Sequence, residues 1–318
     1  MDTTPLRISV VMAVYNGAEV LPRQLDALAC QSVDFPWELV LADNRSTDGT
    51  ADLVRRRAED FPVPIRLVDA FERQGVPYAR NVGVAAAQAD LIMFCDQDDV
   101  VEAGWLAAAA SALADHSAIM GRIQAMTPDG GVGRLMNPSI HTGRPVVESC
   151  NFGIRREVLE AVGGFDEQLP AYGLDDSELA LRLRKAGVTI SPVPDMVIRA
   201  RQTVGVKFRI RKVFSSGRAE ILVWDKHDDM FGDQLTWAHM AREGAHNVGA
   251  TTRLLTRRSG APAKEKLARS WVTWAASPAC SRWGSTRSRC WLPHRMASAR
   301  SSLWLRRWIS TTRLARIS

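Results

Sequence analysis

The feature that most constrains the fold is Ile8–Val14, a run of apolar and β-branched residues broken only by Ser9. A strand without clear alternation is buried on both faces, and such strands belong to parallel sheets covered by helices. Similar runs recur. Glu38–Ala42, Ile65–Val68 and Leu91–Cys95 read as strands two to four, and Ala118–Ala125 as a further strand. Helical patterns lie between them. Pro22 opens one that runs to Ala29, proline being tolerated in a first turn; Thr50–Asp60, the Ala-rich Tyr78–Gln88 and Ala103–Ala114 follow. This alternation predicts an α/β domain with a Rossmann-like, mostly parallel sheet flanked by helices.

After residue 126 the pattern changes. Thr127–Pro145 is rich in Gly, Pro and Asn and reads as a loop or lid. A strand is expected over Val146–Phe152, a helix over Arg156–Val162, a turn at Gly163-Gly164 and a helix over Asp176–Lys185. From Val206 to about Leu255 the pattern is helical and charged, so residues 201–275 are read as a helical appendage.

The net charge of +6 invites a nucleic-acid partner, but its location removes the invitation. Lys266–Ser318 holds 11 Lys and Arg and no acid, whereas residues 1–265 carry 30 basic and 35 acidic side chains. The body is mildly acidic, and no nucleic acid is expected to bind it. The five cysteines (Cys30, Cys95, Cys150, Cys280, Cys290) are scattered and form no Cys-x-x-Cys pair. That argues against a disulfide framework or a zinc site and fits a reducing compartment. The opening MDTTPLR lacks the layout of a signal peptide, and no apolar run reaches the ~18 residues that span a bilayer. A cytoplasmic location is expected.

In an open parallel sheet, ligands bind beyond the carboxyl ends of the strands. Strand one ends in Val14-Tyr15-Asn16-Gly17, strand two in Asp43-Asn44-Arg45-Ser46-Thr47-Asp48-Gly49-Thr50, and strand four in Asp96-Gln97-Asp98-Asp99. Three acids within four residues repel one another unless a cation sits among them. Hard oxygen ligands of this kind suit Mg²⁺ or Mn²⁺. An isolated Asp-x-Asp more often marks a turn, with Asp98 or Asp99 capping the helix near Ala103; the buried strand before it favours chemistry here. Thr47 or Asp48 reads as a cap for the next helix, and Asp43 as a ligand contact able to accept from the imide N–H of uracil. Arg80 is either a surface ion-pair residue or a phosphate-facing cation at a helix start. Asp175, Asp176 and Glu178 open another helix. They either complement its dipole or supply a general base for an attacking hydroxyl.

Five segments in this order resemble one family. They are VVMAVYNGAE, LADNRSTDGTAD, QGVPYARNVGVAAA, FCDQDDVVEAGWL and ESCNFGIRREVLEAVGGFDEQLPAYGLDDSELALRLRKAG, spanning about residues 6–190. Together they are similar to family 2 glycosyltransferases of the GT-A fold. The resemblance implies a hexosyltransferase acting with inversion on a nucleotide-sugar, UDP- or dTDP-linked. The acceptor would be a hydroxyl on a glycan, a lipid-linked carrier or a small molecule. It implies a donor half over 1–126 and an acceptor half over 127–200. Val14, Tyr15, Asn16, Asp43, Arg80 and Asp96 fall on donor positions, Asp98 on the Mn²⁺ or Mg²⁺ ligand, Asp176 on the base, and Asp175 and Glu178 on the acceptor side. Three departures stand out. Ala13 replaces a common proline, and Arg45 stands where a small Gly is usual. No His occurs in Asp195–Arg201, where many relatives place a metal ligand, and His227, His239 and His246 read as surface helix residues.

The rivals are a nucleotidyltransferase, which would want a Gly-rich loop after strand one, and a sugar-nucleotide binder without transfer activity. A dehydrogenase is disfavoured, because no G-x-G-x-x-G follows strand one. Residues 276–318 stand apart: of 43 residues, 9 are Arg, 9 Ser and 4 Trp, and none is acidic. Such a segment does not form a packed helix in water and has the composition of a shifted reading of GC-rich DNA. Its rival reading is a basic amphipathic element around Leu303–Ile309 that touches an anionic membrane.

Overall fold

The computed structural model describes residues 7–126, 131–137, 147–171, 173–201, 215 and 219–231. The chain divides into two units, Met1–Phe208 and Arg209–Ser318.

The first unit begins with strands β1 (Ile8–Val14), β2 (Trp37–Asp43), β3 (Ile65–Asp69) and β4 (Leu91–Cys95), joined through helices α1 (Leu21–Ala29), α2 (Thr50–Glu59) and α3 (Val76–Ala86). All four are parallel, in the spatial order β3-β2-β1-β4. The winding therefore reverses at β1, and the β1/β4 crevice is the place where such sheets bind ligands. Both faces of β1 are covered, as its sequence requires. Val10 and Met12 pack with Leu25, Leu28, Leu39 and Leu41 on one side, while Val11 packs with Val40, Val84 and Phe94 on the other. Gly83 permits that second contact, because a Cβ there would lie 2.5 Å from Val11 Cγ1.

The second half of the sheet is mixed. It contains β5 (Val100–Val101), β6 (Ala118–Met126), β7 (Val132–Met136), β8 (Asn151–Arg155) and β9 (Ile190–Arg201), with α4 (Trp105–Asp115), α5 (Arg156–Ala161) and α6 (Asp175–Lys185). Strand β8 runs antiparallel to both β4 and β6, whereas β9 is parallel to β6. Two expectations need correction. Thr127–Pro145 is not a plain loop, since it contains β7, paired antiparallel to β6. The exposure of β7 explains the miss: an edge strand held by backbone bonds shows no buried alternation. The strand expected over Val146–Phe152 begins only at Asn151, because Glu148–Cys150 forms a turn closed by the Asn151 amide donating to the Glu148 carbonyl at 2.8 Å.

In the second unit, residues 219–226 are helical and α7 covers Asp228–Phe231. His227, expected at the surface, is buried. His239, His246 and the tail 276–318 lie outside the described residues. No described helix is long and apolar enough to cross a membrane.

Candidate active site

The carboxyl ends of β1, β2 and β4 meet in one corner, and polar side chains fasten them. Gln97, just past β4, binds Tyr15 past β1 at both backbone atoms: Gln97 Nε2 donates to the Tyr15 carbonyl and Gln97 Oε1 accepts its amide, each at 2.9 Å. Asn16 Oδ1 accepts the Thr47 amide at 2.8 Å, and Asp43 Oδ1 accepts that of Ser46 at 3.1 Å. Asp48 accepts the amides of Ala18 and Thr50 and the Thr50 hydroxyl. Burial pushes the Asp48 carboxyl up, but the Thr50 hydroxyl and the two amides outweigh it and hold it below the usual range. Buried Asn44 reaches further, donating to the carbonyls of Ala70 and Arg73 and accepting the Gly75 amide ahead of α3. Tyr15 and Phe71, at the ends of β1 and β3, keep their rings exposed on either side of this corner.

The second corner centres on Arg80 in α3. Its guanidinium is buried, with Nη2 donating to Asp96 Oδ1 at 2.8 Å and Nη1 to Asp175 Oδ2 at 2.7 Å. One fork thus joins the end of β4 to the start of α6, 95 residues from Arg80 in sequence. Burial works against its charge, yet Asp96, Asp175 and Asp176 hold it more firmly protonated than usual. Beside it, burial and neighbouring Asp175 push the Asp176 carboxyl up to about 7, against the pull of Arg80. Asp176 Oδ1 accepts the Ser177 amide at 2.7 Å.

Next to Asp96 lies a tighter group. Ligand atoms of Asp96, Asp99 and Cys150 all fall within 4.8 Å of one another. Asp99 is buried and accepts the Arg201 amide at 3.1 Å. Burial, then the charges of Asp96 and Asp98, drive its carboxyl well above the usual range. Asp98 is half-buried in the same turn and makes contacts of its own.

Three non-glycine residues have positive φ among the described residues: Asn16, Arg45 and Leu174. They sit just after β1, just after β2 and just before α6. Strain of this kind collects where surrounding structure holds a site in one shape.

Residues 9–163 match the model of glycosyl transferase family 2, and residues 138–205 that of the N-terminal domain of galactosyltransferase. The chain carries a family 2 glycosyltransferase domain. It is 27% identical over 238 residues to glycosyltransferase AglE of Haloferax volcanii, covering 70% of this chain and 76% of that protein. Several other relatives align over only 23–35% of their own length. Among solved structures, the mannosyltransferase PcManGT from Pyrobaculum calidifontis, in complex with GDP-Man and Mn²⁺, has a TM-score of 0.57 at 23% identity. That likeness covers 89% of this chain and 85% of the other. GalNAc-T7 with UDP, GalNAc and Mn²⁺ has a TM-score of 0.57 at 18% identity, over 72% and 50% of the two chains. At such identities the likeness shows the GT-A fold alone.

The glycosyltransferase brings the expected donor residues Val14, Tyr15, Asn16, Asp43, Arg80 and Asp96 to one end of its sheet, with Asp98 at the same strand end. The surface reading of Arg80 fails, because the side chain is only 5% exposed. Asp175 faces Arg80 rather than an open acceptor surface. Glu178 does not fit an acceptor-side role either. It is fully buried and locked onto Arg182 at 2.6–2.9 Å, one helical turn away. The capping alternative for Asp98 and Asp99 also fails, since α4 starts after Gly104 with no side-chain cap. Asp48 does bond the first turn of α2, although Gly49 takes the cap position. Gln97, Asn44 and Cys150 were missed. The carboxamides carried a faint signal as uncharged residues set among acids, but Cys150 carried none.

Proposed function

We propose that this glycosyltransferase moves a sugar from a nucleoside-diphosphate donor to a hydroxyl acceptor in a single inverting displacement, with Asp176 as the base. The Arg80 fork carries this reading. It draws the acids after β4 and the acids opening α6 into one cluster, so a donor held at the first lies beside a base at the second. Residues 1–126 serve the donor and 127–200 the acceptor. Asp43 and exposed Tyr15 mark the nucleobase side, and an imide N–H facing Asp43 favours a uracil or thymine nucleotide.

The carboxylates of Asp96, Asp98 and Asp99 in the turn after β4 are hard oxygen donors of the kind Mn²⁺ or Mg²⁺ takes, and a cation there would offset the like charge that, with burial, raises the Asp99 carboxyl. Asp98, with Asp96 beside it, would hold the ion. Such an ion neutralises charge on a departing diphosphate. The acceptor O–H gives its proton to Asp176 as its oxygen bonds the anomeric carbon, and the bond from that carbon to the diphosphate breaks with its electron pair. A base with its pKa near neutrality suits that transfer.

The test separates binding from turnover. Asp98→Asn weakens nucleotide binding in Mn²⁺ sharply and leaves the fold intact. Asp176→Asn leaves donor affinity nearly unchanged and lowers transfer ~10²–10⁴-fold, the usual contribution of a positioned base. Equal losses in affinity and rate for Asp176→Asn, or a large fall in its melting temperature, would assign it a helix-start role instead.

A further inference from the structure

We propose that Cys150 joins Asp96 and Asp99 as a protein ligand at the metal site beside Asp98, giving the centre a mixed oxygen and sulfur donor set that prefers Co²⁺, Zn²⁺ or Cd²⁺ to Mg²⁺. The inference rests on the metal reading above. It starts from sheet register. β8 runs antiparallel to β4 with Asn151 opposite Cys95, so the residue before β8 faces the residue after β4. Those residues are Cys150 and Asp96.

The position is fixed. Asn151 is fully buried, accepts the Trp105 indole N–H at 2.8 Å, and donates to the carbonyls of Arg122 and Met196 at 2.9 and 3.1 Å. Cys150 therefore stands at the end of a rigid strand. Its thiol stands beside the Asp99 carboxyl, and ligand atoms of Asp96, Asp99 and Cys150 lie within 4.8 Å of one another. Sulfur and oxygen bonds of about 2.3 and 2.1 Å put two ligands of a tetrahedral ion about 3.6 Å apart, so side-chain shifts of up to about an ångström close the set. The Asp96 side chain is 40% exposed, which leaves an entry path. No described histidine joins the group. A thiol among carboxylates shifts preference towards softer divalent ions, which alters metal choice without altering the displacement at carbon.

Titration of the full chain with Co²⁺ tests this, read by absorbance with and without UDP. A sulfur-to-cobalt charge-transfer band in the near ultraviolet is expected, and Cys150→Ser abolishes it. The same substitution weakens Co²⁺ binding by at least roughly 10–100-fold and leaves Mg²⁺ binding almost unchanged, a split that a purely structural role would not produce. Cys95 remains in that variant as an internal control. Co²⁺ bound without the band, or a band that survives Cys150→Ser, overturns the proposal and leaves the function reading standing. A parent protein that binds no Co²⁺ overturns both. Should Cys150→Ser fail to fold, cadmium NMR on the unaltered protein decides: an all-oxygen chemical shift rejects the thiol ligand, and a sulfur-bearing shift supports it.

Discussion

Two corners of the same sheet end use aspartates in opposite ways. At the ends of β1 and β2, Asp43 and Asp48 accept backbone amides, and hydrogen bonding holds the Asp48 carboxyl low. At the end of β4 and the start of α6, burial and like charge push Asp99 and Asp176 upward, with Arg80 as the shared cation. The first corner is held by its own hydrogen bonds, which fix the shape of the proposed nucleobase side. The second is charged and unrelieved, and that is where added cations and protons change energy most. An acid's chemical use here follows from what surrounds it rather than from its position after a strand.

The largest expected effect comes from removing the cation that holds the second corner together. Arg80→Met keeps bulk and deletes the fork, leaving Asp175 nearly buried without its partner. Breaking such a pair costs ~3–5 kcal/mol, and the lower end applies because Asp96 is partly solvated. Transfer should fall ~10²-fold or more, since misplacement of about 1 Å has that consequence. Arg80→Lys should recover only part of the loss, because one ammonium cannot reproduce two directed bonds. Urea unfolding and single-turnover rates check both points. An Arg80→Met protein as stable and active as the parent would remove the contrast between the corners.

The next effect is smaller and has opposite signs in the two corners. A carboxyl held low in the fold adds stability above its unfolded value of 3.8, and that stability is lost as pH falls through the lower folded value. Asp48→Asn should therefore destabilise at pH 7, by on the order of 1 kcal/mol for a hydrogen-bonding group, with the deficit vanishing in acid below 3.8. Its new NH₂ would also confront the Ala18 amide. Asp176 behaves inversely. Its folded pKa is raised, so stability falls as pH rises from 3.8 to about 7 and the penalty is complete above that. Asp176→Asn should raise the melting temperature at pH 8 and do little at pH 4. Melting curves decide, taken at pH 2 and 8 for Asp48→Asn and at pH 4 and 8 for Asp176→Asn, and equal slopes would contradict the division.

How much of this could be read in the sequence varies by element. Strands β1, β2 and β4 were legible because burial on both faces writes itself as near-continuous apolar runs, half-buried edge strand β3 showed a shorter one, and the strand-end acids followed from them. Edge strand β7 was not, because backbone pairing leaves no side-chain pattern. The pairing of Arg80 with Asp175, and of Cys150 with Asp96, was hidden for another reason: each joins residues far apart in sequence, through the reach of the Arg80 side chain to the start of α6 or the antiparallel strand β8. Arg45 shows a departure becoming intelligible. It stands at φ +71°, a conformation that suits the Gly more usual there, and its guanidinium donates to the carbonyls of Phe71 and Glu72.

The smallest effect concerns the tail. Every side chain assigned to either corner lies between residues 14 and 176, so a chain ending at Ala276 keeps both intact. Its composition points the same way: 22 of the 43 residues from 276 to 318 are Arg, Ser or Trp and none is acidic, which leaves the positive charge unbalanced in any packed form. Truncation after Ala276 should therefore leave UDP binding in Mn²⁺ within error of the full chain. A ligand at about 100 times its Kd adds ~2.7 kcal/mol, so the nucleotide-induced melting shift reports this directly. Loss of binding to anionic vesicles in the truncated chain, with nucleotide binding kept, would identify the Leu303–Ile309 segment as a membrane element. A change in codon phase near position 276 of the coding DNA would instead mark it as a shifted reading. A truncated protein that unfolds would make the tail structural, and the two corners would then depend on residues far outside the sheet that carries them.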